Sequence, residues 1–237
     1  MGIILSDECY LKDKCWKYIK NPNAECRYSN SYCPKLFRMN YLFDEALLSK
    51  KQRQYLALRI DEDGTDREEF RRLQLIEQNI EQFVESGAHL YLHSTTSGTG
   101  KTSWTLRFIQ AWVERIWHKS DLTCRVLFVN VPRYLLAIKD SISNTNEYAD
   151  HIKKNILNAD LVVFDEIGTK SASPFEYEHL LSIIEARIQN DKSNMYTSNL
   201  NGEELRRVLG DRLYSRIVNL STDIELHGRD KRSIVIE

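Results

Sequence analysis

The amino-acid sequence predicts an α/β fold built on a parallel sheet with helices on both faces. Three observations carry that expectation. From residue 88 onward, short apolar runs alternate with segments of helical period. Those runs are apolar throughout rather than at every second position, as strands covered on both faces are. The first of them flows into a glycine-rich turn ending in Lys-Thr, the strand–turn–helix unit of phosphate-binding α/β proteins.

The elements follow in chain order. After the loop Asp61-Glu62-Asp63-Gly64-Thr65-Asp66, the residues Phe70, Leu73, Ile76, Ile80 and Phe83 recur at helical spacing, and Gly87 is placed to cap that helix. A strand over 89–94 feeds the turn, and Trp104, Phe108, Ala111, Trp112 and Ile116 share one face of the helix beyond it. A second strand spans 125–131, with Cys124 at its start as a packed, inert thiol. Pro132 then suits the first turn of a helix carrying Leu135, Ile138 and Ile142. A third strand covers 160–164, and the helix after it carries Tyr177, Leu181, Ile184 and Ile188. A fourth, over 194–198, leads to Asn201-Gly202-Glu203-Glu204, a capping box at a helix start.

The 237 residues, 42% hydrophobic and 28% charged, suffice for one large domain or for one medium domain with a small appendage. The boundary falls loosely within 60–86, giving a cysteine-rich N-terminal unit over 1–85 and the α/β domain over 86–237. A formal net charge of −1 gives no overall attraction to nucleic acid, while leaving room for a local basic face. No apolar run approaches the roughly 20 residues that cross a bilayer. Met1-Gly2-Ile3-Ile4-Leu5-Ser6-Asp7-Glu8 has neither a basic n-region nor a long apolar h-region, so a cytoplasmic location is expected. Cys9, Cys15, Cys26 and Cys33 cluster near the N-terminus, separated by five, ten and six residues. In a reducing compartment such a cluster points to a structural Zn²⁺ site of four thiolates, a useful staple for so small a segment. The spacings are wider than Cys-x₂-Cys knuckles, and an iron–sulfur cluster or ordinary free cysteines remain alternatives.

The chemistry centres on Ser97-Gly98-Thr99-Gly100-Lys101-Thr102. Glycines at 98 and 100 let successive backbone N–H groups turn inward as an anion-binding nest. Lys101 is placed to reach the β- and γ-phosphates of a nucleoside triphosphate, and the Thr102 hydroxyl to ligate Mg²⁺. The full pattern has a sixth-preceding glycine where this chain has Thr95. Leu161-Val162-Val163-Phe164 ends in Asp165-Glu166, which suits Asp165 to Mg²⁺ and Glu166 to polarising an attacking water. The bland alternative is a strand running out into solvent. Asn199, after Tyr196-Thr197-Ser198, is placed to orient that water, or merely starts a turn. Arginines gather at Arg212 and Arg216 and again at Arg229 and Arg232, either as solvated surface or as groups that stabilise phosphoryl charge. Arg133, Lys139, Lys153, Lys154 and Lys170 are candidates for contact with a nucleic-acid backbone, against the commoner reading of solvated lysine and arginine.

These blocks, in this order, resemble the AAA+ ATPases, and among them the replicative helicase loaders of the DnaC/DnaI type, especially bacteriophage versions. The resemblance runs from Leu90 to the C-terminus. It rests on Gly98-Thr99-Gly100-Lys101-Thr102, on the run from Val162 to Gly168, on Tyr196-Thr197-Ser198-Asn199-Leu200, on the run from Gly210 to Ile217, and on the run from Leu226 to Arg232. It implies a P-loop AAA+ core in which Lys101 and Thr102 form Walker A, Asp165 and Glu166 Walker B, and Asn199 sensor 1. Arg216 matches the arginine finger, acting in trans between subunits of a hexamer or an open ring or spiral. Arg232 matches sensor 2, with Arg229 a near competitor. It further implies ATP and Mg²⁺ as cofactors, single-stranded DNA and a replicative helicase as partners, and an N-terminal region that binds the helicase through a zinc-stabilised fold. An IstB-like transposition ATPase, or a nucleotide-gated adaptor acting on an initiator, is the alternative.

Overall fold

The computed structural model describes residues 34–54, 58, 64–141, 143–169 and 173–231, together with a two-residue antiparallel pairing of Ile3–Ile4 with Glu25–Cys26. Its centre is a five-stranded sheet. The strands are β1 (His89–His93), β2 (Val126–Asn130), β3 (Leu161–Asp165), β4 (Ser193–Ser198) and β5 (Thr222–Glu225). Their order across the sheet is β2-β3-β4-β1-β5, every pairing parallel. Each parallel neighbour therefore needs a crossover, and helices supply them.

Alternate residues of each strand enter two separate cores. Leu90, Leu92, Val126, Phe128, Leu161, Val163, Met195 and Ile224 face one side. There they meet α1 (Pro34–Glu45), α2 (Arg67–Gln78), α3 (Ile80–Glu85) and α4 (Lys101–Ile116). Tyr91, Leu127, Val129, Val162, Phe164 and Tyr196 face the other. Here the cover is α5 (Val131–Asp140), α6 (Glu147–Asn155), α7 (Pro174–Gln189) and α8 (Gly202–Ile217). The sheet is thus covered on both faces, which is why its strands read as unbroken apolar runs.

The four expected strands are present, with ends shifted by a residue or so. Val131 belongs to α5 rather than to β2, because Asn130 caps the helix by accepting from the Arg133 N–H at 3.2 Å and Pro132 fits its first turn. The single helix expected from Phe70 to Phe83 is two: Asn79, at φ −107° and ψ 29°, separates α2 from α3. Gly87 follows α3 at φ +67°, and a Cβ there would come within 2.7 Å of the Asp191 carbonyl. α1, α6 and β5 were not foreseen, and Ile142 lies outside the described residues.

α1 packs on the same core as the sheet through Leu36, Met39, Leu42 and Phe43. Just beyond it, the Ala46 carbonyl accepts from the Phe128 N–H of edge strand β2 at 3.0 Å, covering part of that strand's unpaired edge. No helix among the described residues is long and apolar enough to cross a membrane.

Candidate nucleotide-binding site

The parallel register brings the carboxyl ends of four strands to one edge of the sheet. Asn130 pairs with Asp165, and His93 with Ser198. Ligands of open α/β sheets bind at that edge. Here the chain leaves β1 through the glycine-rich turn and enters α4 at Lys101. Gly98 (φ +76°) and Gly100 (φ +107°) both occupy the left-handed region, which a residue with a Cβ adopts only under strain. Around Gly100 nothing approaches within 4 Å of where a Cβ would stand, so that side of the turn is open. Lys101 is buried, its Nζ donating to the carbonyls of Thr96 at 3.2 Å and Ser94 at 3.4 Å.

Beside the turn, Thr102 Oγ1 donates to Asp165 Oδ1 at 3.0 Å, joining the two candidate magnesium ligands. Thr197 Oγ1 donates to the same oxygen at 2.8 Å and accepts from the Glu166 N–H at 3.0 Å. Burial pushes the Asp165 carboxyl above its ordinary range, and the hydrogen bonds from Thr197 and Thr102 oppose that rise. Glu166, by contrast, is exposed and holds φ +61°, a left-handed conformation uncommon for a residue with a Cβ. Asn130 Nδ2 donates to Glu166 Oε2 at 3.0 Å. Ser97, Gly98, Lys101, Thr102, Glu166 and Asn199 all line one cavity of about 320 Å³.

Some expected site residues stand apart. Arg216 lies on α8, its guanidinium 3.3 Å from Glu185 Oε1 of α7, and Arg212 reaches the same oxygen at 3.7 Å. Neither arginine lines the cavity. Arg232, Lys170, Cys9, Cys15 and Cys33 lie outside the described residues, and of Cys26 only the backbone is described. Among the basic candidates for nucleic-acid contact, Arg133 stacks over Tyr148 at 4.1 Å, Lys139 pairs with Glu176 at 3.1 Å, and Lys153 donates to Ser141 Oγ at 2.9 Å. Lys154 is exposed.

The sequence reading passed over three parts of the site. Asn130 looked like the end of a strand, and Thr197 stood inside a block read only for Asn199. The third is the segment after β5. Leu226 N–H donates to the His93 carbonyl at 2.8 Å and Lys231 N–H to the Gly98 carbonyl at 3.0 Å. The Asp230 carboxylate lies so close to Gly98 that any Cβ there would clash with it. Asp66, at the start of α2, accepts from the backbone N–H of His227 at 2.7 Å and of Gly228 at 2.8 Å.

Residues 63–231 match the model of the family described as IstB-like ATP binding protein. The chain belongs to that family. It is 27% identical over 140 residues to the replicative helicase loader DnaC of Escherichia coli (strain K12), covering 59% of this chain and 54% of that protein. It therefore spans about half the length of this curated relative. A crystal structure of DnaI superposes with a TM-score of 0.55 at 20% identity, over 73% of this chain and 88% of that one. A crystal structure of the DnaC helicase loader gives 0.52 at 19%, over 65% and 86%. Likeness at this level establishes the fold, and the fold is the P-loop AAA+ core with a parallel sheet between helical layers.

Proposed function

We propose that the chain is a magnesium-dependent ATPase that delivers a hexameric replicative helicase onto single-stranded DNA. The observation that carries this reading is the junction of Thr102, Asp165 and Thr197 beside the glycine-rich turn, in a chain whose curated relatives include helicase loaders. The donor set fits the groups it would hold: a hydroxyl and a carboxylate suit Mg²⁺, and a turn with two left-handed glycines at a helix start suits phosphate. The Ser97–Gly100 amides and Lys101 would hold the phosphates, and Thr102 and Asp165 the magnesium, which when bound neutralises charge on the phosphoryl oxygens.

The chain's own residues then divide the work. Glu166 accepts the proton of the attacking water, and the Asn130 amide fixes which way its carboxylate turns. Asn199 orients that water. Arg216 leaves Glu185 to reach the site of a neighbouring subunit, and Arg232 or Arg229 contacts the nucleotide from its own chain. Of residues 1–85, those ahead of α1 bind the helicase, stapled by zinc on Cys9, Cys15, Cys26 and Cys33, while α1, α2 and α3 pack on the sheet.

Affinity capture with the full chain as bait, with and without ATP, tests the assignment. A replicative helicase retained in an ATP-dependent manner by the natural chain, and not by Lys101→Ala, is the expected result; no helicase in either condition overturns it. The family match itself favours a second reading, an adaptor ATPase of transposition. Stimulation of a transposase without helicase association would establish that one instead.

A further inference from the structure

Three side chains of ligand type, drawn from both sides of the glycine-rich turn in sequence, converge at another place in the fold. Glu45 ends α1, Cys124 stands two residues ahead of β2, and His151 sits midway along α6. One donor atom from each lies within 4.8 Å of the other two. The backbone carbonyl of Glu45 joins the same group: His151 Nε2 is 2.8 Å from it and Cys124 Sγ 3.6 Å. His151 Nε2 and Glu45 Oε2 are 4.0 Å apart.

Helix capping accounts for only part of this arrangement. The Glu45 carbonyl stands at the C-terminal end of α1, where it lacks an intrahelical partner, and one donor would satisfy it. An imidazole and a thiol, the latter also 3.4 Å from the Val126 carbonyl, both meet that single oxygen with the residue's own carboxylate 4.0 Å from the imidazole, which exceeds the need. The 4.0 Å between His151 Nε2 and Glu45 Oε2 lies just beyond the roughly 3.3–3.8 Å between donors that tetrahedral bonds of zinc length impose, so a small closure brings the set to bonding geometry. Cys124 is buried, while Glu45 and His151 are half-buried, so the cluster has a closed side and an approach from solvent.

We propose that Glu45, Cys124 and His151 form a zinc site that fastens α1 to the ATPase core. Sulfur, nitrogen and carboxylate oxygen together suit Zn²⁺ and not Mg²⁺ or Ca²⁺, which take oxygen. The fourth position goes to the Glu45 carbonyl or to water. One proton leaves per ion, from the Cys124 thiol, since a coordinating thiol is deprotonated outright. The imidazole proton, which the 2.8 Å contact with the Glu45 carbonyl places on Nε2, moves to Nδ1 when the ion binds. The site is independent of the cysteines at 9, 15, 26 and 33, and it does not depend on nucleotide.

Cobalt(II), whose thiolate complexes absorb visibly and in the near ultraviolet, is the probe. The full chain is titrated beside His151→Asn and Cys124→Ser, after chelation of all metal. His151 is half-buried, so His151→Asn keeps its packing demands small. Its far-ultraviolet circular dichroism and nucleotide affinity should match those of the natural chain. The natural chain is expected to take one cobalt equivalent more than His151→Asn, with a loss of sulfur-to-cobalt charge-transfer intensity in Cys124→Ser. Zinc should raise the thermal midpoint of the natural chain by more than that of His151→Asn. Equal cobalt equivalents in the natural chain and His151→Asn overturn the site, whatever the behaviour of Cys124→Ser.

Discussion

Asp165 and Glu166 are adjacent in sequence but sit in opposite environments. Asp165 is buried under two hydroxyl donors; Glu166 is exposed, turned away by a left-handed backbone that costs of order 1–3 kcal/mol. That division suits Asp165 to the proposed magnesium and Glu166 to the proposed role of base. Glu166→Gln should therefore bind ATP with near-natural affinity while turnover falls about 10²-fold or more, measured by calorimetry and phosphate release. Lys101→Ala should lose nucleotide binding in the same calorimetry. A pH effect follows from Asp165. Burial favours its protonated form, whereas magnesium requires the carboxylate, so lowering the pH must protonate it before an ordinary aspartate would titrate. Magnesium-dependent ATP affinity should weaken as pH falls from neutral, beginning above the usual carboxylate range, and Asp165→Asn should make that slope shallower, leaving the part that protonation of the nucleotide's own phosphate contributes. The residue types here were legible in sequence because strand, turn and carboxylates occur in fixed order. Asn130 was not, since a capping residue gives no local sign that its amide nitrogen reaches a carboxylate 36 positions away.

Among the elements, α8 is the one whose geometry departs most from its sequence pattern. Gly210, at φ +74° and ψ +168°, breaks it into two helical halves and re-aims the second, which carries Arg212 and Arg216. Gly210→Ala forces a Cβ into that conformation and should destabilise the chain by about 1 kcal/mol, read as a lower urea midpoint at unchanged slope. The re-aimed half presents two guanidinium groups to one carboxylate, Glu185. Arg216→Ala should leave nucleotide affinity of isolated subunits intact and lose the concentration-dependent part of hydrolysis. Mixed with Lys101→Ala, it should recover some turnover if the arginine serves a neighbour, and none if it serves its own chain. Of the three elements that the sequence did not reveal, α1, α6 and β5, the last two escaped for evident physical reasons. α6 buries only Ala149 and Ile152, too few to mark a helical period. In β5 only Ile224 is buried, so this edge strand shows no apolar run. The break at Asn79 was hidden because the apolar spacing continues across it.

Across the whole molecule, the sheet is held at its amino-terminal edge by Arg187, fully buried near the end of α7. Its guanidinium donates to the carbonyls of Ile156 (2.5 Å), Ala159 (2.8 Å) and Ser193 (2.6 Å) and to Asn194 Oδ1 (2.6 Å), tying α6, α7 and β4 together. Nearby, burial and this cation push the His89 imidazole down to about 4, so it stays neutral and accepts from the Asn194 N–H at 3.2 Å. Arg187→Met would fill similar space yet strand three carbonyls and an amide oxygen. It should cost about 3 kcal/mol or more, measured by chemical denaturation. In sequence Arg187 looked like any basic residue in a last helical turn, while the two-faced sheet was legible because burial on both sides leaves a compositional mark. The path of the chain after β5 left no such mark. Its backbone is stitched to His93, Gly98 and Asp66, so residues 226–231 and the start of α2 share the flank of the glycine-rich turn. A bulky label attached within residues 226–231 would therefore pull on the same few amide bonds that steady the turn at Gly98.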